Sequence, residues 1–213
     1  MTEIVIRSIE KSEICAAREL AASYVDFHAR YVKERLPTFF DIARVLDSDA
    51  EYANRQRLMV GAFLGEQVIG SACIERQIAL TAPELSDDHE FWQQFNEHDL
   101  NVYCTLLDSL RKTYIGAPPD SLTVHSLAVQ PAYRQRGIAR LLLEYAIGEL
   151  SPKERKFLYI EFARLKWLCQ FGASLGFQTV RRTFSISERL EYGCWGSVLM
   201  RYTAPDGGYE THS

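Results

Sequence analysis

Apolar residues recur along this chain with two periods, and the switches between them outline its elements. Short runs rich in β-branched and aromatic residues predict strands over Glu3–Ile9, Arg57–Leu64, Gln67–Gln77, Leu122–Val129, Lys156–Phe162, Gln178–Ser185 and Ser197–Thr203. Gly65-Glu66 between the second and third runs predicts a hairpin. Helical spacing marks Lys11–Leu36, with Ile14, Ala17, Ala21, Tyr24, Val25 and His28 on one face. Pro37 stops or bends that helix, and a second helical piece follows over Phe39–Leu46. Ile78–Asp120 carries a long helical pattern, acidic at its start (Asp87, Asp88, Glu90) and basic at its end (Arg111, Lys112). Arg164–Leu175 is the last helix, closed by Gly176-Phe177.

The most informative stretch is Leu122–Leu150. A strand over Leu122–Val129 leads into a polar turn, Gln130–Arg136, opened by Pro131. A helix then runs over Gly137–Leu150, with Ile138, Leu141, Leu142, Tyr145 and Ala146 on one stripe. A basic, glycine-bearing turn that enters a helix suits a phosphate. Free backbone N–H groups and the positive end of the helix dipole face the anion.

Arg134-Gln135-Arg136-Gly137-Ile138-Ala139 resembles the (Gln/Arg)-x-x-Gly-x-(Gly/Ala) acyl-CoA signature of the GNAT acetyltransferase superfamily. The preceding strand ending in Leu127-Ala128-Val129, Pro131, the following helix and the later Gly176-Phe177 pair match as well. Val124-His125-Ser126-Leu127-Ala128-Val129 is most similar to the arylalkylamine N-acetyltransferase branch. The resemblance implies an α/β (α+β) fold, with a central mixed, mostly antiparallel sheet of six to seven strands flanked by helices. Residues 1–203 then form one domain and 204–213 a flexible tail, while the stretch of about 78–120 is a helical insertion between strands 3 and 4. The insertion's aromatics either cover the acceptor pocket or meet a second copy in a homodimer, or else they simply pack on the sheet.

The resemblance implies acetyl-CoA as co-substrate and a primary amine of a small molecule as acceptor, joined by direct attack in a ternary complex. Backbone N–H groups of about Arg134 to Arg140 would grip the diphosphate, with Arg134, Arg136 and Arg140 adding charge or remaining solvated. Gly137 allows close approach, and Ala139 keeps the helix start narrow. The backbone of Leu127, Ala128 and Val129 would pair with the pantetheine amides, as a strand adds to a sheet edge.

An alkylammonium must lose a proton before it attacks, and an imidazole, with an unperturbed pKa near ~6.5, accepts one at neutral pH. His125 is the candidate base, weighed against a histidine packed in the sheet; Ser126 is expected to point the other way. Arylalkylamine acetyltransferases carry two histidines on this strand. His125 matches one, and Thr123 stands at the other. The tyrosine that serves many family members as general acid is Gly172 here, with Cys169, Tyr103 and Tyr192 as loose substitutes. Lys166 and its neighbours also lack the asparagine that often opens this helix. His28 and Glu75 read first as a packed histidine and an exposed strand carboxylate, and only second as acceptor-site residues.

Composition narrows the partners. The chain has 213 residues, 47% of them hydrophobic, and a formal net charge of −4. That balance argues against a general nucleic-acid binder, which needs a basic face. Five widely spaced cysteines form no Cys-x-x-Cys or Cys/His cluster, so no metal site is expected. The start of the chain has no signal-peptide layout and no apolar run reaches bilayer length, so a cytoplasmic protein without membrane contact is expected. Two other readings stay open: a catalytically silent acyl-CoA-binding or regulatory protein, and an acetyltransferase for protein lysines or N-termini.

Overall fold

A computed structural model describes residues 3–24, 58–76, 97–98, 101, 115–184 and 196–203. Seven strands form one sheet among these residues: β1 (Ile4–Ser8), β2 (Leu58–Leu64), β3 (Gln67–Arg76), β4 (Leu122–Val129), β5 (Leu158–Ala163), β6 (Phe177–Arg182) and β7 (Ser197–Tyr202). Their order is β1-β2-β3-β4-β5-β7-β6, and every neighbouring pair is antiparallel except β4–β5. This is the mixed, mostly antiparallel sheet expected from the sequence.

Helices cover both faces. A 3-10 turn, Lys11–Glu13, opens α1 (Ile14–Tyr24). Ile14, Ala17 and Leu20 bury one stripe against Met59, Phe63, Cys73 and Ala128. On the other face, α2 (Ile138–Glu149) lays Ile138, Leu142, Leu143, Ala146 and Ile147 against β2, β3 and β4. Leu142 and Leu143 are fully buried, each contributing about 2 kcal/mol of transfer free energy. α3 (Pro152–Arg155) is a short turn that the apolar pattern does not reveal, because it buries nothing. Its signal is the Ser151–Glu154 capping box. α4 (Lys166–Ser174) shares the α2 face and packs on β5 and β6.

The predicted boundaries hold to within three residues for the strands. Beyond Tyr24 the first predicted helix lies outside the described residues, as do the piece at 39–46, nearly all of the insertion and the tail.

Two surface carboxylates tie the fold to pH. The Arg7 guanidinium grips Glu13 through two bonds of 2.8 and 2.6 Å and lies 3.8 Å over the Phe63 ring. The hydrogen bond from Arg7 holds the Glu13 carboxyl below the usual carboxylate range. Those from Ser151 do the same for Glu154. Depressed carboxylates add stability above their unfolded pKa, and that stability is lost as pH falls through the folded value. We expect the Glu13→Gln, Glu154→Gln double variant to have a flatter Tm profile than wild type between about pH 6 and about pH 3. The effect is small because both pairs are at the surface. Superimposable profiles would contradict it.

Candidate active site

The site grows from a fork in the sheet. β4 pairs with β5 only over Leu122↔Leu158, Thr123↔Tyr159 and Val124↔Ile160. Past that point β5 follows β7 as far as Ala163↔Ser197, whereas β4 follows β3 as far as Val129↔Gly70. A wedge therefore opens along the β5 side of β4 from His125 to Val129, and no described strand pairs with this edge. Unpaired strand edges accept an extended ligand.

A bulge sits at the apex of the fork. Ile74 pairs with Val124 but Cys73 pairs with Ser126, so His125 is the extra residue. Val124 and Val129 join the core on the α2 face, while Ala128 joins the α1 cluster, so the period-two alternation shifts at this point. Ser126 therefore does not face away from His125 by simple alternation. His125 itself is exposed, not packed in the sheet.

The turn after β4 is held from below. Gln130 N–H donates to Ile69 O and its side-chain amide to Val68 O, both at 2.9 Å. Arg134 Nε returns to Val129 O at 2.9 Å, and Arg136 lies 5.5 Å over the Tyr133 ring. Gln135 and Gly137 both take the left-handed conformation, with φ of 61° and 80°. Alternating signs of φ turn successive N–H groups toward one concave side, a nest for an anion. Leu141 N–H closes on Gly137 O at 3.1 Å. The amides from Gly137 to Arg140 are thus left over at the helix start, with no side-chain cap and no acidic residue in the first turn. A Cβ added at Gly137 meets no atom within 4 Å, so the turn faces open space.

The predicted donor residues lie together on the end of β4, the turn and the start of α2. Ala128, Val129 and Ile138 are buried. Leu127 and Ala139 are partly buried. Arg134, Gln135 and Arg136 are exposed on the turn. Arg140 spans to α4, donating to Ser174 Oγ at 2.7 Å and Ser174 O at 3.3 Å, and pairs with Glu144 at 3.3 Å.

Sequence reasoning missed Glu161. It is the first β5 residue past the fork. Its two oxygens accept Ile115 N–H at 3.0 Å and Gly116 N–H at 3.1 Å, fixing the chain just before β4. A lone carboxylate between Ile160 and Phe162 was the available signal. Of the loose substitutes for the missing tyrosine, Cys169 alone is among the described residues. Tyr103, Tyr192 and His28 lie outside the described residues. Cys169 lines a separate cleft of about 670 Å³ between α4 and the β6–β7 pair, with Arg164, Lys166, Arg182, Val198 and Met200. That cleft includes no turn or fork residue and is not the site indicated by the chemistry. Gly172 is buried, and a Cβ there would lie 2.9 Å from both Met200 Sδ and Phe162 Cε2.

The sequence profile of the acetyltransferase (GNAT) family matches residues 20–166, more than half of the chain. The chain belongs to the GNAT acetyltransferase family. As a GNAT acetyltransferase it takes acetyl-CoA as co-substrate. Solved structures share its fold. The ribosomal-protein-S18-alanine N-acetyltransferase from Escherichia coli is 17% identical, with a TM-score of 0.51 over 97% of this chain and 99% of that one. A probable acetyltransferase from Staphylococcus epidermidis ATCC 12228 is 12% identical, with a TM-score of 0.54 over 95% and 100%. AAC(6')-Iy, solved with the bisubstrate analogue CoA-S-monomethyl-acetylneamine, is 16% identical, with a TM-score of 0.52 over 86% and 96%. At these identities the likeness speaks for the fold. No curated protein matches the sequence. Among the described residues no helix is long and apolar enough to cross a membrane.

Proposed function

We infer that this GNAT acetyltransferase moves the acetyl group of acetyl-CoA to the primary amine of a small molecule, by direct attack in a ternary complex, in the cytoplasm. The observation that carries the reading is the fork itself: a β4 edge that no described strand pairs with ends on a helix start without a side-chain cap among the described residues, with an exposed histidine on the bulge at its apex. The amides around Gln135–Ala139 take the diphosphate, and Arg134 and Arg136 supply the cationic rim. The backbone of Leu127–Val129 aligns the pantetheine arm, and an N–H there polarises the thioester carbonyl. His125 takes the proton that the ammonium must lose before its nitrogen attacks.

Incubation with acetyl-CoA and a panel of alkyl and arylalkyl amines tests the reading. Thiol release with at least one amine supports it, and acetyl-CoA binding without release from any of them contradicts it. We expect His125→Gln to lower kcat by about 10²–10⁴-fold, with acetyl-CoA binding retained in calorimetry. A loss smaller than about tenfold removes His125 from the role.

One observation favours a second reading, a donor-binding protein without turnover. The helix position from which many family members protonate the leaving thiolate is packed shut here by Phe162 and Met200. A CoA thiol leaves with modest help, so the enzyme reading stands ahead.

A further inference from the structure

The cleft between α4 and the β6–β7 pair takes no part in the acetyl transfer described above, and its two ends differ in chemistry. At about 670 Å³ it falls within the roughly 300–1,000 Å³ of small-molecule sites. It lies on the flank of α4 turned away from α2. Ser174, which Arg140 of α2 contacts, marks the other flank, whereas Lys166, Cys169 and Ala173 line the cleft. One end is closed by the tight turn that leads from α4 into β6 through Leu175 and Gly176. The other is bridged by Arg164, whose guanidinium donates to Thr183 O at 3.4 Å. The floor is apolar and well packed: Phe177, Val198 and Met200 are each 2% exposed or less.

The cations gather at the bridged end. The chain reverses at Gly176, so Arg182 at the end of β6 returns beside Arg164 and Lys166 at the start of α4. Among the described residues that line the cleft none is acidic, and neither Lys166 nor Arg182 has an ion pair there. The start of α4 adds the positive end of its dipole, with no side-chain cap and no acidic residue in its first turn. Toward the turn the lining is neutral, with Ala173, Phe177 and Gln178. A trough with a cationic end and an apolar floor is complementary to a molecule with an anionic head and an apolar body.

We propose that this cleft is a second ligand site, which binds a free, unesterified aliphatic carboxylate. The carboxylate sits among Arg164, Lys166 and Arg182, where guanidinium and ammonium donors give charge-assisted hydrogen bonds. The chain lies along Val198, Met200 and Phe177 and removes their remaining apolar surface from water. The site is separate from the donor turn and does not depend on which amine the enzyme acetylates.

Titration calorimetry of octanoate into the full chain tests the proposal. Wild type is expected to take one octanoate per chain and to bind octan-1-ol, which lacks the charge, at least about tenfold more weakly. The Lys166→Gln, Arg182→Gln double variant should weaken octanoate by about tenfold or more, and Arg182→Gln alone by part of that. Acetyl-CoA binding equal to wild type shows that each variant is folded. Octanoate should bind undiminished to enzyme saturated with acetyl-CoA. Absence of saturable octanoate binding, equal affinity for octan-1-ol, or an affinity that survives both variants overturns the proposal and leaves the acetyl-transfer reading intact. Displacement of octanoate by acetyl-CoA overturns it too, because the cleft would then be the seat of the donor.

Discussion

Replacing Gly137 with valine is expected to weaken acetyl-CoA binding by about 100-fold or more, the largest effect of any substitution in the turn. Two causes combine. The φ of 80° puts Gly137 in the left-handed region, where a β-branched residue is strained by about 1–2 kcal/mol. No side chain or remote backbone atom lies within 4 Å of the added Cβ, so the new side chain projects into the open space where the proposed donor site would hold the diphosphate. Gly65 separates the two effects. It has a φ of 62° and the same open surroundings, but sits in the β2–β3 hairpin. Gly65→Val should lose similar stability in denaturant titrations yet bind acetyl-CoA as wild type does. Equal losses of affinity in the two variants would reduce the Gly137 effect to backbone strain and remove the turn from the donor site.

Gly172→Tyr, which restores the residue many family members use as general acid, should not restore an acid here. We expect it to cost about 3 kcal/mol of stability or more, read from chemical denaturation, with no gain in kcat. The Cβ alone would stand 2.9 Å from Met200 Sδ and from Phe162 Cε2, and a ring needs far more room. Phe171, the neighbour of Gly172, stacks edge-on against Phe162 at 6.4 Å, so the aromatic ring cannot swing aside freely. A folded Gly172→Tyr enzyme with raised kcat would show that the tyrosine's seat is open after all.

The turn and helix start proposed to hold the donor are legible in the sequence, and the fork beside them is not, for physical reasons. Gly137, the arginines around it and the apolar stripe of α2 are local features. Their chemistry follows from a turn and a helix start, which depend on residues close in the chain. The fork is non-local. It exists because β5 leaves β4 for β7 after Ile160, a choice set by pairing with residues nearly forty positions later. Neither the wedge nor the position of Glu161 can be read from period or composition. The bulge at His125 is similar: two residues opposite one appear only when the register with β3 is known. Gly172 reads in the sequence as a missing tyrosine, and in the structure the Met200 and Phe162 side chains approach it closely. The resemblance named the absence, and the side chains of Phe162 and Met200 explain it.

A crystal structure with CoA bound tests the central claim most directly. The account predicts the diphosphate on the amides of Gln135–Ala139, the pantetheine arm along Leu127–Val129 in the β4–β5 wedge, and the sulfur beside His125. CoA seated elsewhere, for instance in the basic cleft between α4 and β6, with the wedge empty, would contradict it.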